Sequence, residues 1–226
     1  MTGRLFIIGL GPGDDALLTP RAAEALAAAS DVFGYFPYVA RVPEREGQRR
    51  HASDNRQEIE RARQALALAA SGRTVAVVSS GDPGVFAMAS AVFEAIEHGE
   101  PAWRELEVEV IPGISAMFAA AARLGAPLGH DFCALSLSDN LKPWEVVLKR
   151  LTVSAEAGFV IALYNPISRA RPWQLGAAFD ALREILPPAT PVAFARAVSR
   201  PDERILVTDL KSADPQAADM STLVLI

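Results

Sequence analysis

Short, mostly apolar runs recur along the chain at 4–8, 32–35, 74–79, 107–111, 133–137, 159–163, 192–197, 204–209 and 222–226. Few polar residues break them, the pattern of strands covered on both faces, so they predict buried parallel strands rather than half-exposed alternating ones. Longer stretches with helical spacing lie between most of them. The expected class is therefore α/β. The last strands have little helical sequence between them, which predicts an antiparallel meander at the carboxyl-terminal end.

Helix starts are legible in several places. Thr19 followed by Pro20 reads as an N-cap with proline in the first turn, opening an alanine-rich helix to Ala29. Asp54 with Gln57 three residues on fits a capping box, and Ile59, Ala62, Leu66 and Ala69 supply the apolar stripe that follows. Ser115 is expected to cap a helix through Leu124, closed by Gly125. Further helices are expected over 85–97, 144–151 and 174–186. A boundary near Ile111-Pro112-Gly113 predicts two lobes, 1–112 and 113–226, with a cleft between them.

Composition narrows the function classes. Half of the 226 residues are apolar, so the chain holds enough core to fold without a metal or disulfide. Its one cysteine, Cys133, excludes a disulfide framework and a four-thiolate cluster, and makes a reducing, cytoplasmic setting the expectation. The 22 Lys and Arg against 27 Asp and Glu give a net charge of −5, which argues against a general nucleic-acid or anionic-membrane binder. The apolar stretch Leu5 to Leu10 is too short for a signal peptide, and no run approaches the length of a membrane span. The chain stops on an apolar strand, so a native product that continues past Ile226 is compatible with it.

The candidate chemistry lies in turns that follow strands. GLGPGDD at 9–15 is not a dinucleotide fingerprint, because the third glycine position is Asp14. Pro12 also removes a backbone donor that a phosphate cradle would use, and no Gly-Lys-Ser/Thr follows. SSGDPGVF at 79–86 places Gly81 for close backbone approach and Asp82 either as an acceptor for a ligand or as a cap on a helix beginning near Pro83. IPGISA at 111–116 and LYNP at 163–166 complete four turns at strand ends, a pattern that suggests a lined crevice. Taken singly, each of these segments also reads as an ordinary turn.

In this order, GLGPGDD, SSGDPGVF, IPGISA and LYNP resemble the tetrapyrrole methylases, which use S-adenosylmethionine and fold as two α/β lobes with the methyl donor between them. Further segments, DVFGYFPYV from Asp31, SDNRQEIERA from Ser53, the stretch from Arg123 to Leu151 and LYNPISRARPWQL from Leu163, are similar to the branch that methylates precorrin-3B at carbon 17 and contracts its ring. The likeness covers nearly the whole chain. It implies that Pro12, Gly81, Asp82, Val85, Ser115, Ala116, Tyr164, Asn165, Ala195, Arg196 and Ala197 surround the donor. It also implies a homodimer.

A precorrin carries several carboxylates on a flat macrocycle, so arginines and aromatics are expected at its site. Arg41, Arg45, Arg49 and Arg50 crowd one stretch, and Arg169 and Arg171 flank Trp173. Asp14, Arg49, Arg50, Arg169 and Arg171 are the candidate substrate contacts, with most arginines equally readable as solvated surface. Tyr35, Tyr38 and His51 are candidates by type for proton transfer, with Asp54 beside them; each has a plain packing or surface alternative. The sister methylases' acidic residue after the first aromatic is replaced here by Phe36. His130 and Cys133 have ligand-like spacing, but two residues do not make a metal site. Competing readings are the cobalt-dependent relative acting on cobalt-factor III, another precorrin carbon methylation, a dinucleotide-dependent oxidoreductase, and a nucleotide-binding module without catalysis.

Overall fold

In the first half of the chain, neighbouring residues of each strand face opposite sides and meet different helices. Leu5 and Ile7 join Val75, Val77 and the helical Ala62, Leu66 and Val92 in one core, whereas Phe6 and Ile8 join Ala76, Val78 and the helical Ala22, Ala25 and Leu26 in another. That two-sided burial explains why these strands carry so few polar residues. A computed structural model describes residues 3–54, 56–140, 142–168 and 170–226. The chain divides into two compact units, Met1–Ser115 and Ala116–Ile226.

In the first unit, β1 (Arg4–Gly9), β2 (Asp31–Tyr35), β3 (Arg49–Ser53), β4 (Thr74–Ser79) and β5 (Glu107–Ile111) form one parallel sheet in the order β3-β2-β4-β1-β5. The helices are α1 (Pro20–Ala28), α2 (Phe36–Val39), α3 (Glu58–Ala70) and α4 (Met88–His98). As expected, Thr19 caps α1, its hydroxyl accepting from the Ala22 amide at 3.2 Å.

In the second unit, α5 (Ala116–Arg123), β6 (Phe132–Ser136), α6 (Trp144–Glu156), β7 (Val160–Tyr164), α7 (Gln174–Arg183), β8 (Pro191–Arg196), β9 (Arg204–Asp209) and β10 (Thr222–Leu225) build a mixed sheet in the order β6-β7-β10-β8-β9. Val147, Leu151, Leu175, Phe179 and Leu182 of α6 and α7 pack on Leu163, Phe194 and Val224 of the sheet. Gly125, at φ +76°, closes α5, and the Ala126 amide reaches back to the Ala121 carbonyl at 2.9 Å.

Four expectations are corrected. β3 is not among the expected strands because RRHAS is polar; it is an edge strand, and one face of an edge can stay wet. Asp54 does not cap α3: the N-cap is Gln57, with no side-chain bond. Instead the Asp54 carbonyl accepts from Arg61 Nη2 at 2.6 Å. Helix α4 begins at Met88 rather than 85, because the Ser79 hydroxyl accepts the Met88 amide at 3.3 Å and residues 82–85 are taken up by a turn. The carboxyl-terminal strands are antiparallel, but β10 inserts between β7 and β8 instead of following β9 at the edge, so they do not make a simple meander.

The edge strand is stitched down by a buried carboxylate. Asp31 has no solvent exposure; it accepts from Ser30 Oγ at 2.8 Å, from His51 Nε2 at 2.9 Å and from Arg73 Nε. His51 stacks on Phe33 with centroids 4.2 Å apart. Burial pushes the Asp31 pKa up, but hydrogen bonds from His51, Arg73 and Ser30 more than reverse this, leaving it below the usual carboxylate value. A folded pKa below the unfolded one contributes stability that is complete above the unfolded value and lost as pH falls through the folded one. Asp31→Asn should therefore destabilise the protein by about 3 kcal/mol at neutral pH and flatten the acid limb of stability against pH below about 4, measured by urea unfolding across a pH series.

Candidate active site

Because the first sheet is parallel, the carboxyl ends of all its strands lie along one edge, where open α/β sheets place ligands. The register pairs Gly9 with Ser79, Ile8 with Ile111 and Tyr35 with Ser53. The three glycine turns at 9–15, 79–86 and 111–116 and the Tyr35–Tyr38 turn thus leave the same edge.

The turns approach one another backbone to backbone. A Cβ on Gly113 would sit 2.2 Å from the Gly81 carbonyl oxygen, and one on Gly9 would sit 2.6 Å from that oxygen and 2.7 Å from the Gly113 nitrogen. Gly11 and Gly81 exchange two hydrogen bonds, at 3.1 and 2.8 Å, each with φ +67°. Glycine answers the close approach at Gly9 and Gly113 and the positive φ at Gly11 and Gly81. Asp82 is neither a helix cap nor idle: its Oδ1 accepts from the Gly84 amide at 2.8 Å and its Oδ2 from the Gly113 amide at 3.1 Å. It straps the second turn to the third.

Other expected residues of this unit fall in different places. Buried Pro12 and half-buried Val85 lie in the first and second turns, and Ser115, 3% exposed, ends the third. Asp14 Oδ1 accepts from the Ala16 amide at 2.9 Å and so caps a short 3-10 turn. Tyr35 and Tyr38 meet edge to face at 5.4 Å between centroids. His51 belongs to the Asp31 network. Arg49 is exposed on β3, and Arg50 is directed to the Val42 carbonyl and, at 3.5 Å, to Glu44.

The targets of two arginines are not legible in the sequence. Arg41 reaches the Leu10 carbonyl at 2.8 Å, the Gly11 carbonyl at 3.1 Å and the Ser80 hydroxyl at 3.2 Å. Arg61, 3% exposed, donates to Ser53 Oγ at 2.8 Å and approaches Met88 Sδ at 3.3 Å. Burial pulls its pKa down. Both are ordinary members of arginine-rich stretches in sequence, and only the path of the chain reveals their targets.

In the second unit, half-buried Ala116 opens α5, and the Met117 amide donates to the Tyr164 hydroxyl at 3.2 Å. Asn165, left-handed at φ +52°, donates from Nδ2 to Ser136 Oγ at 2.9 Å, fixing the turn after β7. Ala195 and Ala197 are buried, and Ala197 has φ +48°. The Arg196 side chain is committed to Asp202 at 2.8 Å and Asp219 at 2.7 Å, contacts that raise its pKa; any ligand contact at this strand end then falls to its backbone. Arg171 donates to Ser138 Oγ at 2.9 Å and Asn140 Oδ1 at 2.7 Å, and Trp173 packs edge to face on Trp144. Arg169 lies outside the described residues.

Comparison with known proteins places this arrangement. Residues 4–214 match the family described as Tetrapyrrole (Corrin/Porphyrin) Methylases. The chain belongs to that family. A precorrin-3B C(17)-methyltransferase from Sinorhizobium sp is 61% identical over 226 residues, covering 100% of this chain and 89% of the relative. A cobalamin biosynthesis protein CobIJ from Mycobacterium tuberculosis is 49% identical over 230 residues; there this chain spans 44% of the relative's length. The crystal structure of the methyltransferase CobJ superposes with TM-score 0.96 at 54% identity, covering 99% of this chain and 93% of that one. A Thermus thermophilus uroporphyrin-III C-methyltransferase complexed with S-adenosyl homocysteine gives TM-score 0.73 at 25% identity, covering 99% and 96%. The chain is thus a methyltransferase of a family that uses S-adenosylmethionine.

The site's own chemistry fits such a donor. Glycine backbone, hydroxyls and the Asp82 carboxylate are groups of the kind that hydrogen-bond ribose and amino-acid groups. Asp82→Asn should cost about 1–3 kcal/mol in thermal unfolding. An amide offers one acceptor oxygen where the carboxylate offers two, so either the Gly84 or the Gly113 N–H loses its partner in both orientations.

Proposed function

We propose that this protein transfers a methyl group from S-adenosylmethionine to carbon 17 of precorrin-3B and contracts the ring to precorrin-4, in cobalamin biosynthesis. The observation that carries this reading is the 61% identity, along the full chain, to a relative bearing that methylation in its name; the ring contraction is what the family resemblance implies. The donor supplies a methyl group already activated on a sulfonium. The protein's part is then to exclude water and aim two reactants in line, and no strong nucleophile is required of it.

In this reading the residues proposed for the donor, on the resemblance, are Pro12, Gly81, Asp82, Val85, Ser115, Ala116, Tyr164, Asn165, Ala195, Arg196 and Ala197. Asp14, Arg49, Arg50, Arg169 and Arg171 are proposed to meet substrate carboxylates. Of these, Arg171 is the best supported, because its described partners, Ser138 and Asn140, are neutral and leave its charge for a carboxylate. Tyr35 and Tyr38 are the proposed proton-transfer groups; His51 has less support, since Asp31 and Phe33 hold it. The resemblance further supports a homodimer, and the single cysteine a reducing, cytoplasmic setting. Among the described residues no helix is long and apolar enough to cross a membrane.

The test is anaerobic incubation of purified protein with S-adenosylmethionine and precorrin-3B, followed by absorbance and mass. We expect a gain of one methyl group and the spectrum of a contracted ring. Methylation only of cobalt-loaded substrate would contradict the precorrin-3B assignment. Tyr38→Phe should slow ring contraction about a hundredfold while S-adenosylhomocysteine binds as to wild type, read by single-turnover kinetics and calorimetry.

A further inference from the structure

Arg41 lies just past α2, in the segment that carries Tyr35 and Tyr38, yet its guanidinium is bound to two other turns. It donates to the Leu10 and Gly11 carbonyls after β1 and to the Ser80 hydroxyl after β4. The Gly11 carbonyl it holds also accepts the Gly81 amide at 2.8 Å. One planar side chain therefore joins three turns on the carboxyl edge of the sheet, and it does so at the point where the glycine turns cross. Lysine has one ammonium on a flexible stem and lacks the fixed fork that lets arginine serve acceptors in separate directions.

Resting on the methyl-donor reading above, we propose that Arg41 is a positioning residue: it holds the first two glycine turns in the donor-binding arrangement and couples them to the tyrosine-bearing turn. The arginine-rich stretch from Arg41 to Arg50 is thus divided in purpose. Arg41 faces its own backbone, whereas Arg49 remains exposed.

The experiment is calorimetric titration of S-adenosylhomocysteine into wild type, Arg41→Met and Arg41→Lys, with a thermal melt of each and a measurement of donor KM and kcat. Arg41→Met is expected to weaken S-adenosylhomocysteine binding by about tenfold or more, equivalent to ~1.4 kcal/mol. Arg41→Lys should weaken it less, with donor KM rising while kcat at saturating donor changes little. Should Arg41→Met fail to fold, the smaller weakening expected of Arg41→Lys, with its rise in donor KM, carries the test. Wild-type affinity in a folded variant that has only a lower melting temperature would overturn the proposal and reduce Arg41 to a fold-stabilising residue. Failure of wild type to bind S-adenosylhomocysteine at all would instead overturn the methyl-donor reading, and this proposal with it.

Discussion

The site in the first unit depends on three stretches of backbone passing closer together than any side chain permits. Gly9, Gly81 and Gly113 leave no room for a Cβ on Gly9 or Gly113, and the reciprocal bonds between Gly11 and Gly81 fix the two turns against each other. Asp82 then spans to the Gly113 amide and Arg41 to the Leu10 and Gly11 carbonyls. A parallel sheet brings the strand ends side by side; the glycines let the turns beyond them touch; the two charged side chains lock the result. Backbone groups held this way are already oriented before a ligand arrives, which spares the ordering cost of binding.

The second unit uses different means for a comparable end. Its turns are set by side-chain bonds, Asn165 to Ser136 and Tyr164 to the Met117 amide, and by left-handed backbone at Asn165 and Ala197. Asparagine tolerates that conformation well, whereas alanine does so at some strain. Arg196 is held between Asp202 and Asp219, whose carboxylates sit below the usual range. For Asp202 the Arg196 hydrogen bond is the main cause, and for Asp219 that bond with Thr222 and Ser221 outweighs the upward push of burial.

Much of this was legible in the residues. Strands buried on both faces announce themselves as continuous apolar runs, so β1, β4 and β7 stand out, and the glycine-bearing turns after β1 and β4 mark the carboxyl edge of the first sheet. β3 was not legible because RRHAS is polar and becomes a strand only by pairing with β2, pinned there by the His51–Asp31 bond. Asp54 and Gln57 matched a capping pattern, but tertiary contact with Arg61 outweighed the local preference. The start of α4 was misplaced because Val85 continues an apolar pattern while Asp82 bends the chain through the Gly84 amide. Arg41 could not be told from Arg45 or Arg49 by type; its target lies some thirty residues away in the chain.

The claim that most needs testing is that the glycine-crossed edge of the first sheet is where the methyl donor binds. Amide hydrogen exchange with and without S-adenosylhomocysteine addresses it directly, since exchange reports local opening segment by segment. The account predicts added protection in residues 9–15, 79–86 and 111–116, with the α3 surface unchanged. Protection confined to other segments, or binding that leaves these three turns exchanging as before, would contradict it.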